Sequence, residues 1–269
     1  MTALERKGKR MPRRRTSSSP PLAGRVAVVA GATRGAGRGI ARALGEAGAI
    51  VYCTGRSVRG TPSAYGRPET IDETAEMIVA AGGTATAVQV DHAVEAEVEA
   101  LFARVDREQG RLTRDRRGLI VEVTENDVLS AGGNPLAQTV KFALKGFALS
   151  MAAELQPHRV AAIAITPGYL RSESMLQRFG VTEANWRDRG KKDTNFLESE
   201  TPLFVGRAVA ALAADPGIMK RTGQLFSSWE VAREFKLTDE DGRRPDWGRP
   251  HHRFLPPSSG ASRSTARRL

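Results

Sequence analysis

Four glycines, Gly31, Gly35, Gly37 and Gly39, follow directly on the apolar run Val26-Ala-Val-Val-Ala30. Glycines at this spacing let a strand turn sharply into a helix and let the backbone approach a ligand closely. Free N–H groups at a helix start, together with the positive end of its dipole, suit an anion. The turn from Gly31 to Gly37, which also contains Thr33 and Arg34, is therefore expected to hold the pyrophosphate of a nucleotide. A second group of interest closes the next apolar run, Val51-Tyr-Cys-Thr-Gly-Arg-Ser57. A carboxylate at this point would hold an unmodified ribose diol. Arg56 and Ser57 stand there instead, and a guanidinium suits a 2′-phosphate, with Arg34 as a second cation. NADP is thus favoured over NAD, the lesser alternative being that both arginines are simply solvated on loops.

These residues need a frame. Strands are expected at Arg25–Ala30, Ala49–Thr54, Thr84–Val90, Gly118–Thr124, Val160–Thr166 and Gly223–Ser227. Between them, apolar residues at helical spacing predict helices at Gly37–Ala47, Pro68–Ala81, Val94–Gln109, Pro135–Gln156 and Pro202–Ala214. Alternating strands and helices predict an α/β fold, a Rossmann-like doubly wound parallel sheet with right-handed crossovers. A single domain over 24–248 is expected, and the long polar segment 169–201, placed after a strand's C-terminal end, reads as a substrate lid.

Composition narrows the function classes. The chain has 269 residues and a net charge of +11, but the excess lies in two Ser/Pro/Gly-rich tails. Residues 1–23 carry seven Lys/Arg against one Glu, and residues 249–269 carry five Arg and no acid, so the intervening region is balanced. Such tails are expected to be disordered, and a nucleic-acid partner is disfavoured against simple solvation. The single cysteine, Cys53, excludes an internal disulfide, and no Cys/His spacing suggests a metal. No apolar run spans a bilayer and no secretory signal is apparent, so a cytoplasmic, membrane-free protein is expected.

The glycine turn, with Ala27-Val-Val-Ala30 before it and Arg38-Gly-Ile-Ala41 after it, resembles the short-chain dehydrogenase/reductase family, and the resemblance runs from about Leu22 to Trp247. It implies an oxidoreductase that moves a hydride between NADP(H) and a carbonyl or alcohol. Within it, Val88-Gln-Val-Asp91 matches the end of the third strand, where the family's aspartate contacts adenine; Asp91 alternatively caps the helix near Val94. Thr166-Pro-Gly-Tyr169 matches the family's Pro-Gly turn, which places Pro167 and Gly168 at the nicotinamide end.

Two departures qualify that implication. The family's proton transfer uses a tyrosine four residues before a lysine, whose charge lowers the phenol's pKa. Lys141 fits the lysine, but the tyrosine position is Ala137, and the serine position falls on Thr124, which either bonds substrate or merely ends a strand. Of the other tyrosines, Tyr52 and Tyr65 lie elsewhere, and Tyr169 alone is near the expected reaction end. Secondly, Arg111–Arg117 leads straight to the strand at Gly118, where the family inserts a central strand and a helix that carries part of its oligomer interface. The sheet must then close up or leave unpaired backbone, with reduced stability and a weakened homo-oligomer. Lys141 and Thr124 are the candidate catalytic residues, and a decayed, non-catalytic cofactor-binding protein is the alternative to an active enzyme.

Overall fold

A computed structural model of the chain describes residues 19–61, 63, 66–110, 117–125 and 134–248. Most of both basic tails, the connection 111–116, Tyr65 and the side chain of Ala137 lie outside the described residues.

The first half follows the βα rhythm. Strand β1 (Val26–Ala30) leads through the glycine turn into α1 (Gly35–Glu46), followed by β2 (Ile50–Gly55), α2 (Ile71–Ala80), β3 (Thr84–Gln89) and α3 (Glu95–Gln109). The three strands are parallel in the order β1-β2-β3, with Val28 beside Tyr52 and Tyr52 beside Thr86. Two helix starts differ from expectation. α1 begins two residues earlier, at Gly35, whose φ of 55° suits glycine. α2 begins at Ile71 rather than Pro68, because Thr70 accepts from the Glu73 N–H while the Glu73 carboxylate accepts from the Thr70 N–H, a reciprocal cap. The folded region also starts before Gly24: Leu22 is in the core, its N–H donating to the Ala47 carbonyl.

The second half contains β4 (Gly118–Val123), α4 (Pro135–Leu155), β5 (Val160–Thr166), α5 (Glu173–Phe179), α6 (Pro202–Ala214), β6 (Leu225–Ser227) and α7 (Ser228–Phe235). Its strands are also parallel, in the order β4-β5-β6. Among the described residues, β1 has a ladder partner in β2 alone and β4 in β5 alone, giving two three-stranded sheets.

Helices bridge what the strands leave open. Gly39 of α1 and Gly206 of α6 lie backbone against backbone; a Cβ on Gly39 would strike the Pro202 carbonyl, and one on Gly206 would strike the Gly39 carbonyl. One apolar core accordingly spans both halves, from Val29 and Val51 to Ile163, Ile165, Val205 and Leu212.

The segment 169–201 is less open than its polar composition suggests. Trp186 and Phe196 are buried, and the guanidinium of buried Arg171 lies 4.0 Å from the Trp186 ring centre, with Arg187 and Arg243 also over that ring. Only α5 within it has no buried residue.

Candidate functional site

At the C-terminal ends of β1, β2 and β3 lies a crevice of about 1350 Å³, lined by Gly31, Thr33, Arg34, Arg56, Ser57 and Asp91 among others. This is where open parallel sheets bind ligands. The glycine turn is shaped by close approach: a Cβ on Gly37 would collide with the Gly31 carbonyl. Arg34 is the N-cap residue of α1 but provides no side-chain cap, so the first helical N–H groups depend on another acceptor.

Arg34 has its Nη1 buried without a hydrogen-bond partner, 3.8 Å from the Glu69 carboxylate. Burial alone would raise the Glu69 pKa, but hydrogen bonds from Arg67 and its own backbone hold it below the ordinary value. A buried guanidinium nitrogen with spare donor capacity fits an absent anion. Arg56 extends from the end of β2, largely exposed, 3.8 Å from Asp91. The expected cap by Asp91 is not what forms: its Oδ1 accepts from the Ala93 N–H in a local turn, and α3 has Val94 as an uncapped N-cap. Ser57 and Thr33 are buried beside the crevice.

Two residues near this turn escaped the sequence reading, His92 in the crevice lining and Glu173 against the start of α1. His92 Nε2 lies 2.8 Å from the Thr54 hydroxyl, which donates to the Val29 carbonyl. Glu173, the first residue of α5, accepts from the Gly35 N–H at 2.8 Å through Oε2, and its Oε1 lies 3.6 Å from Arg38. No local signal in the sequence reveals that contact, which joins residues 138 apart.

The reaction side is differently occupied. Thr124, buried just beyond β4, donates from Oγ1 to the Lys141 carbonyl at 3.2 Å. The Lys141 ammonium is ion-paired with Glu125. Position 137 lies in the first turn of α4, one turn before Lys141. Tyr169 donates to Asp193 at 3.3 Å, and burial and the Asp193 charge raise its pKa, the reverse of what a catalytic phenol needs.

Pro167 and Gly168 are fixed from an unforeseen direction. The Gly168 N–H and the Ser228 hydroxyl donate to Oε2 of Glu200, at 3.0 and 2.6 Å. Complete burial pushes the Glu200 carboxyl up to about 8, with Asp239 adding to the shift, and Oε1 has no hydrogen-bond partner. That fits a carboxyl held in its neutral form. Among the described residues no group of side chains could hold a metal ion, and no helix is long and apolar enough to cross a membrane.

No family model matches the chain. The mouse protein "Dehydrogenase/reductase SDR family member 1" and its human counterpart are each 31% identical to it over 278 aligned positions, covering 83% of this chain and 85% of theirs. The chain belongs to the short-chain dehydrogenase/reductase family.

Solved short-chain dehydrogenase/reductase-like structures share the fold at lower identity. A dehydrogenase/reductase from Sinorhizobium meliloti 1021 is 20% identical, with a TM-score of 0.61 over 78% of this chain and 95% of that one. The angucycline C-6 ketoreductase LanV, solved with bound NADP, is 22% identical, also at 0.61, over 78% of this chain and 96% of its own. The fold is therefore that of the family. Within this short-chain dehydrogenase/reductase, the glycine turn and its arginines gather in one crevice, whereas Thr124, just past β4, and Lys141, on α4, sit together in the second half, the Thr124 hydroxyl donating to the Lys141 carbonyl.

Proposed function

We propose that the chain binds NADP(H), in preference to NAD(H), with its phosphates at the start of α1 and its 2′-phosphate near Arg34 and Arg56. The observation that carries this is the buried Nη1 of Arg34, which makes no hydrogen bond and only a 3.8 Å ion pair with Glu69, with Arg56 and no carboxylate at the end of β2. Gly31 to Gly37 supply close backbone approach, Ser57 and Asp91 flank the ribose and adenine end, and Pro167 and Gly168 the other end. The NADP bound in LanV supports the same ligand class. NADP(H), when bound, supplies or accepts a hydride, and a small carbonyl or alcohol is the substrate class that goes with it.

What the chain's own residues do for proton transfer is limited. Ala137 carries no proton, and the Lys141 ammonium is engaged by Glu125. Thr124 can orient a substrate oxygen only by giving up its bond to the Lys141 carbonyl. Slow turnover, with water supplying the proton, is the enzymatic reading. Ala137 favours a second one, a protein that binds the cofactor without turning it over.

Thermal unfolding with each cofactor tests the binding proposal. A rise in Tm with NADPH and a smaller one with NADH is expected, about 2.7 kcal/mol of stabilisation at a hundredfold excess over Kd. Equal shifts, or none, would overturn it. Steady-state NADPH oxidation across simple carbonyls then separates slow enzyme from binding protein.

A further inference from the structure

We infer that Glu173 is an internal anion seated on the phosphate position at the start of α1, so that α5 must lift away before a dinucleotide can bind. This rests on the cofactor proposal above, and it adds a gate to that site.

The contact has the form a phosphate would make. The Glu173 carboxylate takes the first N–H of α1 at 2.8 Å, a normal length for a charge-assisted bond. Because Arg34 leaves that helix start without a side-chain cap, Glu173 supplies the acceptor that a ligand oxygen would otherwise supply. Its second oxygen lies 3.6 Å from the Arg38 guanidinium, so the carboxylate is held by a helix dipole and a cation together. Further along α5, Gln177 accepts from Arg67, whose partner Glu69 neighbours Arg34. A phosphate oxygen and a carboxylate cannot share the Gly35 N–H, and their charges repel.

α5 is held lightly over most of its length. It has seven residues, none of them buried, and its capping Ser172 is a local contact. Its fixed neighbour is Arg171, anchored by Glu183, Ser199 and the Trp186 ring. At its far end Gly180 adopts φ 64°, a natural hinge conformation. Next to that glycine Phe179 packs edge-on against buried Phe196 at 5.1 Å, so α5 stays anchored at its C-terminal end while polar contacts of Glu173 and Gln177 hold the rest of it down, which lets that part open about the anchor.

The test uses the full-length protein, with hydrogen exchange of the α5 amides and NADPH affinity as readouts. Glu173→Gln keeps shape but removes the charge; Glu173→Asp keeps the first-turn charge of α5 but falls short of Gly35. Both variants are expected to bind NADPH about 5- to 10-fold more tightly and to exchange their α5 amides faster. Saturating NADPH should likewise speed α5 exchange in the wild type. Unchanged or weaker affinity in both variants, or α5 amides equally or better protected in the loaded wild type, would overturn the gate. If neither NADPH nor NADH binds at all, the cofactor proposal fails by itself. Inorganic pyrophosphate then decides the gate: it stands if pyrophosphate speeds α5 exchange in the wild type and falls if it does not.

Discussion

β2 and β5 each sit in the middle of three strands and are almost wholly buried, while β1 and β4, which flank the interruption between the sheets, are only half-buried along most of their length. The same contrast extends to the two parts of the site. The crevice on the first sheet has its glycine turn closely packed, and Arg38 is tied to Thr70, Thr74 and Glu73. On the second sheet, α4 leaves Leu136, Val140, Phe147 and Leu149 exposed, and the hydroxyl of Thr124 and the ammonium of Lys141 are taken up by near neighbours. The proposed cofactor binding depends on one βαβ unit and its turn, all within the first sheet. Proton transfer needs groups that several elements must bring together, so it is the more demanding of the two to position.

The sharpest way to break this contrast is at the seam that joins the halves. Gly39→Val forces side-chain atoms into the Pro202 carbonyl and should cost about 3–5 kcal/mol. Urea unfolding should show the second sheet lost before the first; a single transition with little destabilisation would mean that the α1–α6 contact does not hold the halves together.

Glu200 provides a second lever, through pH. Its carboxyl ionises near 4.5 in the unfolded chain and near 8 in the fold. A raised folded-state pKa means that its stabilising contribution is complete below about pH 4.5 and is lost as pH rises toward 8. Relative to Glu200→Gln, the wild type should lose on the order of 2–4 kcal/mol between pH 5 and pH 9, read from urea midpoints. Parallel profiles for the two proteins would place the proton elsewhere.

Smaller effects address the two sites separately. Arg34→Ala should weaken NADPH about tenfold while leaving NADH within about twofold; equal losses would remove the 2′-phosphate assignment. Ala137→Tyr alone should raise turnover by less than about tenfold, because Lys141 and Thr124 remain engaged. Strong rescue by that one substitution would show the second half of the site to be complete but for a phenol.

Much of the first half was legible from the chain because its signals are local. The Val26–Ala30 run, the glycines after it and the helical spacing through α2 and α3 each report on their own neighbourhood. The connection 111–117, seven residues of which five are charged, is too short for a strand and a helix, but how the strands on either side of it pair depends on tertiary packing. What stayed hidden was non-local or short. α5 has too few residues for a period to show, and α7 begins directly on β6, with its start set by Ser227 accepting from the Glu230 N–H. Glu173 and Glu200 look like ordinary surface acids in sequence. Their roles come from partners 138 and 32 residues away, at Gly35 and Gly168.

The two half-covered strands bear on how the protein behaves in concentrated solution. β1 and β4 each present a parallel ladder edge with no strand on it among the described residues. Such an edge is a template onto which another chain can add. The +11 charge, concentrated at the termini, then acts as colloidal protection, keeping copies apart before their edges meet. Because that protection is electrostatic, added salt weakens it within a Debye length of about 8 Å at physiological ionic strength. On charge alone, then, a net +11 opposes the edge-to-edge approach of two copies, and that opposition shrinks as salt is added.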